Sequence, residues 1–578
     1  MFAGPIFSRE ALTAPRQIKH FLLRSGYLAA LIVLMYTAGQ ATFGFQEIRN
    51  LSSLAGFGSL AYQVFSLVQL SLVIFFALLL AVGNVAQEKD RKTLILLLMT
   101  DLRNHELVIG KLSASLLSVL MLIGSSFPIF AILYFLGGVT FSQIVWSIAL
   151  CASVALAAGS WGTLVAFARE KTFQTISLGV LGLVLYLGIV EGLLAVLGSQ
   201  SIETADVLRT MNPYRALLDL INPWDQIAAG EAQHVSAAGA VGTMLGLTVL
   251  LNLISIGYVR RWNTSHAVFE QAMKKAEEQS QVTRKQSKEI WSNPVIWREI
   301  CTRAYGRKVI VIKLIYLLVV AFMLWQLTST FGVMNPSGRL VSPAGVGFIA
   351  LGLISLMLVN AQAVTSITSE RDGQTLELLL VTDITAKEFV YGKLGGILYN
   401  TKELTLIPMA WIVYLAAVGG MSIENAVYTI IGFIVLTLFS AMLGVHSGLT
   451  YDSSRAAIAN SLGTMFFLFI GICIFMVLLV EARSSFFLQL QSFLVFILMG
   501  SIGLWKSLTY KNPSSALTFA AGLLPFLTFY AIAEFLLSGS LGVCLWITLA
   551  YGFTALAMLI PAISEFDVAL GRTSVDNG

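Results

Sequence analysis

Long runs of apolar residues, separated by short polar segments, dominate the hydrophobicity pattern of this 578-residue chain. Each run has about the 20 residues that a helix needs to cross the hydrocarbon core of a bilayer. The pattern predicts an all-α polytopic membrane protein with about 14 transmembrane helices, six followed by eight. The predicted spans are 25–45, 60–83, 112–137, 143–168, 173–198, 236–258, 314–334, 344–366, 394–420, 425–448, 456–480, 486–505, 514–533 and 541–563.

The composition agrees with this prediction and excludes soluble classes of protein. Hydrophobic residues make up 57% of the chain and charged residues only 12%, whereas soluble proteins carry about 25% charged residues. The four cysteines and five histidines lie far apart, so we expect neither a disulfide framework nor a metal site. No nucleic-acid partner is predicted either; the lipid bilayer is the expected environment.

The basic residues indicate how the chain is oriented, because Lys and Arg concentrate in loops that stay in the cytoplasm. With the N-terminus inside, 30 of the 36 Lys and Arg residues fall on the cytoplasmic side. This predicts a multi-pass protein of the cell (inner) membrane with both termini in the cytoplasm. The least supported part is the hairpin near 486–533, whose inside connection rests on Lys506 and Lys511 alone.

The polar loops contain an internal repeat. Residues 88–112 read EKDRKTLILLLMTDLRNHELVIGKL, and residues 370–394 read ERDGQTLELLLVTDITAKEFVYGKL, with 14 of 25 positions identical at an offset of 282. Shared hydrophobicity cannot explain such identity in polar sequence. We therefore divide the chain into a first half (1–261), a linker (262–294) and a second half (295–578), related as parallel repeats around an axis along the membrane normal.

Each repeated segment places acids before a short apolar run, in the loop after the second span of its half. One hypothesis is a helix lying in the membrane interface. The alternative is docking on a protein partner, which we favour because an anionic membrane surface would repel the acids. Thr385 and Glu388 have capping-box spacing, which predicts a helix start. The candidate docking residues are Glu88, Asp90, Thr93 and Asp101, with Glu370, Asp372, Thr375 and Asp383 in the second copy.

This motif resembles the cytoplasmic loop of type 2 ABC transporter permeases, the exporter-like family. It departs from the family form in two ways: only the second copy has a nearby glycine (Gly373), and Asp101 and Asp383 replace a proline. The resemblance implies that each loop is a coupling helix that docks on an ATPase subunit. Since family members usually work as pairs of permeases, it also implies that this chain fuses both members of a pair, so that no homo-oligomer is required.

The chain lacks a phosphate-binding GxxxxGK[ST] loop, so we expect it to bind no ATP and no other cofactor. The resemblance implies two copies of a separate ABC ATPase, which would hold ATP and magnesium. The chain is then not itself an enzyme but the permease subunit of an ATP-driven translocase. Its substrate is unidentified, and export is the expected direction.

A few polar residues fall within predicted spans. Lys402 and Glu403 lie in the ninth span and are candidates for the translocation path, although Lys402 could instead extend to the interface. His446 is expected to be packed and hydrogen-bonded. Alternative functions are a secondary, ion-coupled transporter, an integral membrane enzyme and a scaffold. Inverted repeats would favour the first, and a cluster of catalytic residues at the membrane surface would favour the second.

Overall fold

The computed structural model of the chain is α-helical, with no strand in the part that it describes. Apart from a few single positions, the structure describes residues 18–43, 50–91, 93–197, 202–221, 236–280, 293–301, 309–330, 343–373, 384–481, 486–511, 514–537 and 539–569.

Each predicted span of the first half lies on a long helix, because each is a continuous apolar run, and the second helix extends beyond its predicted span at both ends. The last one continues beyond the membrane into the predicted linker. The helices of the first half are α1 (Ile18–Phe43), α2 (Leu51–Asp90), α3 (Thr93–Met99), α4 (Asn104–Leu136), α5 (Phe141–Ala168), α6 (Thr172–Leu197), α7 (Ile202–Met211), α8 (Pro213–Ile221) and α9 (Ala237–Ser280).

The second half begins with a short helix and then repeats the order of spans. Its last span contains one π-helical turn, Thr548–Gly552. The helices are α10 (Pro294–Cys301), α11 (Val309–Thr330), α12 (Pro343–Asp372), α13 (Ala386–Asn400), α14 (Lys402–Ala417), α15 (Ile423–Thr450), α16 (Ser454–Glu481), α17 (Phe486–Leu508), α18 (Ser515–Leu536), α19 (Ser540–Ile547) and α20 (Phe553–Ala569).

Twelve helices among the described residues are long and apolar enough to cross a membrane, so the prediction of an all-α polytopic membrane protein is confirmed. The count of fourteen is not. In α11 the described apolar stretch, Ile310–Trp325, is shorter than the other spans. The predicted span 394–420 is interrupted at Thr401, where α13 ends and α14 begins, because polar residues at this point break the apolar run.

Spans three and four are joined by a tight turn in both halves. Gly137 adopts φ +90° after α4, and Gly419 adopts φ +80° after α14. Both angles lie in the left-handed region, which is strained for residues with a Cβ. The two glycines are 282 positions apart, the offset of the repeat.

Contacts between the halves are reciprocal. In the first half, α6 packs against α11 and α12 of the second half. In the second half, α16 packs against α1 and α2 of the first half. Since α6 and α16 are both the fifth span of their half, each fifth span lies against the first two spans of the other half.

The halves differ between the fifth and sixth spans. In the first half this connection contains α7 and α8, and residues 222–235 lie outside the described ones. Arg215 of α8 binds Glu191 of α6 through two hydrogen bonds of 2.6 Å. In the second half the connection is the hairpin α17–α18, which packs between α1, α16 and the last span.

Candidate functional site

The side of the membrane that carries both repeated loops, here called the loop side, holds a set of polar contacts between helices in each half. They centre on a triad at the end of the second span: Glu88-Lys89-Asp90 in the first half and Glu370-Arg371-Asp372 in the second. These residues end α2 and α12, so their side chains point to three different neighbours.

The glutamate of each triad forms an ion pair with the lysine of the repeated Gly-Lys pair. Glu370 accepts from Lys393 at 2.7 Å, and Glu88 accepts from Lys111. The lysines lie on α13 and α4, the helices that follow the loops. Each ion pair therefore ties the end of the second span to the helix on the other side of its loop.

The basic residue of each triad binds the end of the fourth span. Lys89 donates to the backbone carbonyls of Phe167 and Arg169 at 2.5 and 3.0 Å. Arg371 donates to the carbonyls of Gly448 and Tyr451 at 3.1 and 2.5 Å. Carbonyls at the end of a helix lack intrahelical partners, and a cation there also interacts favourably with the helix dipole.

The aspartate of each triad binds the first residue of the fifth span. Asp90 accepts a hydrogen bond from the hydroxyl of Thr172, and Asp372 accepts one from the hydroxyl of Ser454. Both pairs are separated by 82 positions in the chain. The triad thus connects the second span to the third, fourth and fifth in both halves, and we call this set of contacts the brace.

In the second half the brace contains a buried ion cluster. Glu299 of α10 accepts from Lys393 at 2.6 Å, and Arg298 of α10 binds Glu370. The side chains of Lys393 and Glu299 are only 1% and 3% exposed. Burial of charged groups is tolerated only when they are paired, as these are.

Glycines on α13 let α10 approach closely enough to form this cluster. A Cβ at Gly392 would lie 2.7 Å from the Cβ of Val295, and one at Gly396 would lie 2.6 Å from the Cβ of Glu299. Real side chains do not approach so closely. Gly392 is the glycine of the repeated Gly-Lys pair, so this pair supplies both the close contact and the cation.

The start of the helix after each loop is capped by a repeated glutamate. Glu388 accepts from the backbone N–H of Thr385 at 3.0 Å, and the backbone N–H of Glu388 donates to the Thr385 hydroxyl at 3.2 Å. The predicted capping box is therefore confirmed. Glu106 accepts from the backbone N–H of Arg103 at 2.9 Å. The hydrogen bonds that Glu388 accepts from the backbone and the side chain of Thr385 lower the pKa of its carboxyl.

An ion pair crosses from one half to the other within this region. The Nε atom of Arg91, just after α2, lies 3.7 Å from a carboxylate oxygen of Asp372. Arg91 is half-exposed, whereas Asp372 is only 5% exposed. The two braces therefore meet near the boundary between the halves.

The remaining candidate docking residues lie on or near α3. Thr93 begins this helix, and its hydroxyl donates to the carbonyl of Glu88 at 3.2 Å. Asp101 is exposed just beyond the helix. Thr375 and Asp383 lie outside the described residues. The structure thus assigns intramolecular partners to four of the predicted docking acids, Glu88, Asp90, Glu370 and Asp372, while their role in docking stays a prediction.

The outer surface of α3 is apolar rather than acidic. Leu94 is buried, but Leu96 is 65% exposed and Met99 is 80% exposed. With 7 residues, α3 cannot cross a membrane, and it lies on the loop side. Its exposed apolar residues need to be covered by lipid or by protein.

Lys402 and Glu403 lie near the loop side rather than at the middle of the membrane. Glu403 accepts from Lys313 at 2.7 Å, and Lys313 is only five residues into α11. The ammonium of Lys402 lies 4.3 Å from the centroid of the Tyr399 ring. Their contribution to a translocation path stays a prediction.

The boundary between the halves is apolar and closed within the membrane. The ring of Phe75 on α2 stacks on that of Phe466 on α16, with centroids 4.2 Å apart. A void of only about 10 Å³ lies between α2, α6, α12 and α16, which is about the space that one water molecule needs. The structure therefore represents a conformation without an open path at this point.

His446 is packed within the membrane, as expected. Its Nε2 atom lies 2.9 Å from the carbonyl oxygen of Leu508, at the end of α17. No group of residues suited to hold a metal ion was found in the part of the chain that the structure describes.

Sequence reasoning missed several members of the brace. Lys89 and Arg371 were seen only as part of the motif, and Thr172 and Ser454 were not considered. The sequence contains a signal for both pairs, because Lys89 and Arg371, like Thr172 and Ser454, are separated by the repeat offset of 282. Glu299 also had a signal: Arg298-Glu299 repeats Arg9-Glu10 at an offset of 289.

The helices and the brace together define a polytopic membrane protein. In each half the brace connects the second span to the third, fourth and fifth spans on the loop side. Comparison with protein families then identifies a relationship: residues 19–272 match the family described as ABC-2 family transporter protein. This match covers the first half of the chain and confirms, for that region, the resemblance to type 2 ABC permeases inferred from the loop motif. No curated protein and no solved structure matches the chain.

Proposed function

We propose that this ABC transporter permease subunit supplies both permease halves from one chain and exports its substrate with the energy of ATP hydrolysed by two separate ATPase subunits. The observation that carries this proposal is the brace, present in both halves next to the repeated loops. On this proposal the loop side is the cytoplasm, both termini are cytoplasmic, and the membrane is the inner membrane of a bacterium.

The fusion of two permeases is supported by two features of the packing. The contacts Glu88–Lys111, Lys89–Arg169 and Asp90–Thr172 recur 282 residues later as Glu370–Lys393, Arg371–Tyr451 and Asp372–Ser454. The fifth span of each half also packs on the first two spans of the other half. Such reciprocal contacts are typical of a twofold interface.

We infer that the ATPase contacts the apolar face of α3, with the acids of the triad as supports behind it. Leu96 and Met99 are exposed on this face, and apolar side chains at a docking surface are buried by the partner. The second copy of this helix falls largely on residues outside the described ones. The triad acids then act by holding each loop to its spans.

The brace explains how a movement of the loop would reach the membrane. When the ATPase subunits close on ATP, they would displace both loops. Because the triad binds the third, fourth and fifth spans, the displaced loop would carry its half as a unit. The halves would then rotate against each other at the apolar boundary around Phe75 and Phe466, whose rings stack across it.

The proposal is tested by expressing the full chain with an ABC ATPase encoded beside it. The chain alone should show no ATPase activity, and the ATPase should co-purify with it. Met99→Asp should reduce the amount of bound ATPase, because it places a charge on the docking face. Val207→Asp on α7 serves as a matched control, since Val207 is an exposed apolar residue on the opposite side. Equal ATPase binding by both variants would contradict the docking assignment.

A further inference from the structure

An apolar groove runs along the first half, within the membrane. Its volume is about 510 Å³, and it lies between α5, α6 and α9. Ala158 and Trp161 line it from α5, Leu183 from α6 and Leu247 from α9, and Ile315 of α11 adds a contact from the second half. The volume lies within the range of small-molecule sites.

The two ends of the groove differ in chemistry. Arg169, which follows the last residue of α5, lines the loop-side end, and Pro213, the first residue of α8, lines the opposite end. No hydrogen bond or ion pair of the Arg169 guanidinium is found among the residues that the structure describes. The groove is therefore apolar along its length, with a cation at one end and the first residue of α8 at the other.

The corresponding place in the second half is occupied by the protein itself. The groove borders the fourth, fifth and sixth spans of its half and the first span of the other half. In the second half the same four elements, α15, α16, α19–α20 and α1, surround the hairpin α17–α18. The first half has no such hairpin, because α7 and α8 form the equivalent connection. Some other apolar group must therefore fill the groove.

The residue at the loop-side end indicates which group this is. Arg169 corresponds to Tyr451 at the offset of the repeat. The Tyr451 ring stacks on Tyr510 of the hairpin connection, with centroids 4.7 Å apart, and its hydroxyl donates to the carbonyl of Ser507. The first half has a cation where the second half has an aromatic contact to its own hairpin. A cation at the membrane surface favours an anionic headgroup.

We propose that the groove holds one anionic phospholipid from the loop-side leaflet, with an acyl chain along the groove and its phosphate bound by Arg169. A transmembrane helix of another protein fits less well, because Pro213 lies at the far end of the groove and Arg169 places a cation at the loop-side end. The lipid would contact α6 of the first half and Ile315 on α11 of the second, and so would touch both halves. This proposal does not depend on the proposed function.

The test is native mass spectrometry of the full chain, purified in detergent with equal amounts of dioleoyl phosphatidylglycerol and dioleoyl phosphatidylcholine. The wild type should retain one phosphatidylglycerol with a clear preference over phosphatidylcholine. Arg169→Gln should reduce this preference about fivefold, the effect of one basic residue near a lipid phosphate. Arg261→Gln, an exposed arginine on the same side, should leave the preference unchanged.

A second pair of variants tests the groove itself. Ala158→Phe should fill the groove and abolish lipid retention, whereas Val249→Phe on the exposed face of α9 should not. Ala157→Phe provides an independent filling variant if Ala158→Phe fails to fold. An unchanged preference in Arg169→Gln, lipid retention in a folded groove-filling variant, or a second polypeptide cross-linked at position 157 would overturn the proposal.

Discussion

Lys89 and Arg371 make the same contact in different halves of the chain: each donates to backbone carbonyls at the end of the fourth span, including those of Arg169 and Tyr451, respectively. A lysine and an arginine thus perform one structural role at equivalent positions. The two residues beside each of them, a glutamate and an aspartate, are identical in both halves. The repeated motif therefore encodes a set of helix contacts as well as a loop.

The first prediction concerns the buried ion cluster. Lys393→Met should lower the free energy of unfolding by about 3 kcal/mol, because it leaves the buried Glu299 with only a 3.4 Å contact to Arg298 and removes one of the two cations that pair with Glu370. Lys111→Met should cost closer to about 1 kcal/mol, since its pair with Glu88 is more hydrated. Thermal unfolding of the purified variants in detergent would compare them. Equal losses would contradict the difference in burial.

The second prediction tests the equivalence of the two braces. Thr172→Ala and Ser454→Ala each remove a hydrogen bond to a triad aspartate, so each should cost about 1–2 kcal/mol. The measurement is the shift of the thermal midpoint, with Ser53→Ala, an exposed serine on α2, as the control. A large loss in one half with none in the other would show that the two contacts are not equivalent.

The third prediction concerns the boundary between the halves. A Cβ at Gly192 on α6 would lie 2.5 Å from the ring of Phe322 on α11. Gly192→Leu should therefore push the halves apart. The measurement uses a protease site inserted within linker residues 281–290. After cleavage, the amount of the second half that co-purifies with the first should be lower for Gly192→Leu than for the wild-type sequence.

Two further variants make this test specific. Gly246→Leu on α9 is the matched control, because nothing lies within 4 Å of a Cβ at that position. Adding Phe322→Ala to Gly192→Leu should restore association by making space for the leucine. If Gly246→Leu separated the halves as strongly as Gly192→Leu, the contact with Phe322 would not be the cause.

The fourth prediction concerns pH. Hydrogen bonds from Thr385 lower the pKa of Glu388, so the cap stabilises the start of α13 at pH values above the ordinary glutamate pKa. This contribution should be lost as the pH falls through the lowered pKa, when the carboxylate becomes protonated. Amide exchange in the first turn of α13, corrected for intrinsic rates, should rise over this range. Glu388→Gln should remove the dependence; its persistence would assign it to another group.

The sequence alone predicted much of the fold, because membrane spans depend on local hydrophobicity. The predicted spans differ from the structure where the local hydrophobicity of a segment does not reveal how that segment packs. Thr401 divides a predicted span, and the residues around it pair as Lys313–Glu403 and Lys402–Tyr399 near the membrane surface. Their depth in the membrane depends on where α11 lies, which no property of the 394–420 segment reveals.

The candidate site was located by sequence, but its contacts were not. Glu88, Asp90, Glu370 and Asp372 were singled out because they repeat, and their acidity suggested an external partner. Their partners within the chain, such as Thr172 and Ser454, are 82 residues away from the aspartates that they bind. Only the packing of the second span against the fifth brings these side chains together.

The sequence by itself determined that this is a helical membrane protein with a duplicated loop, because apolar length and residue identity are local properties of the chain. The tertiary structure decided which charges are buried and which surfaces remain uncovered. Lys393 is buried because α10 returns to α13, and the groove beside Arg169 exists because the first half lacks the hairpin that fills the second. Both depend on contacts between distant segments, which hydrophobic periodicity does not encode.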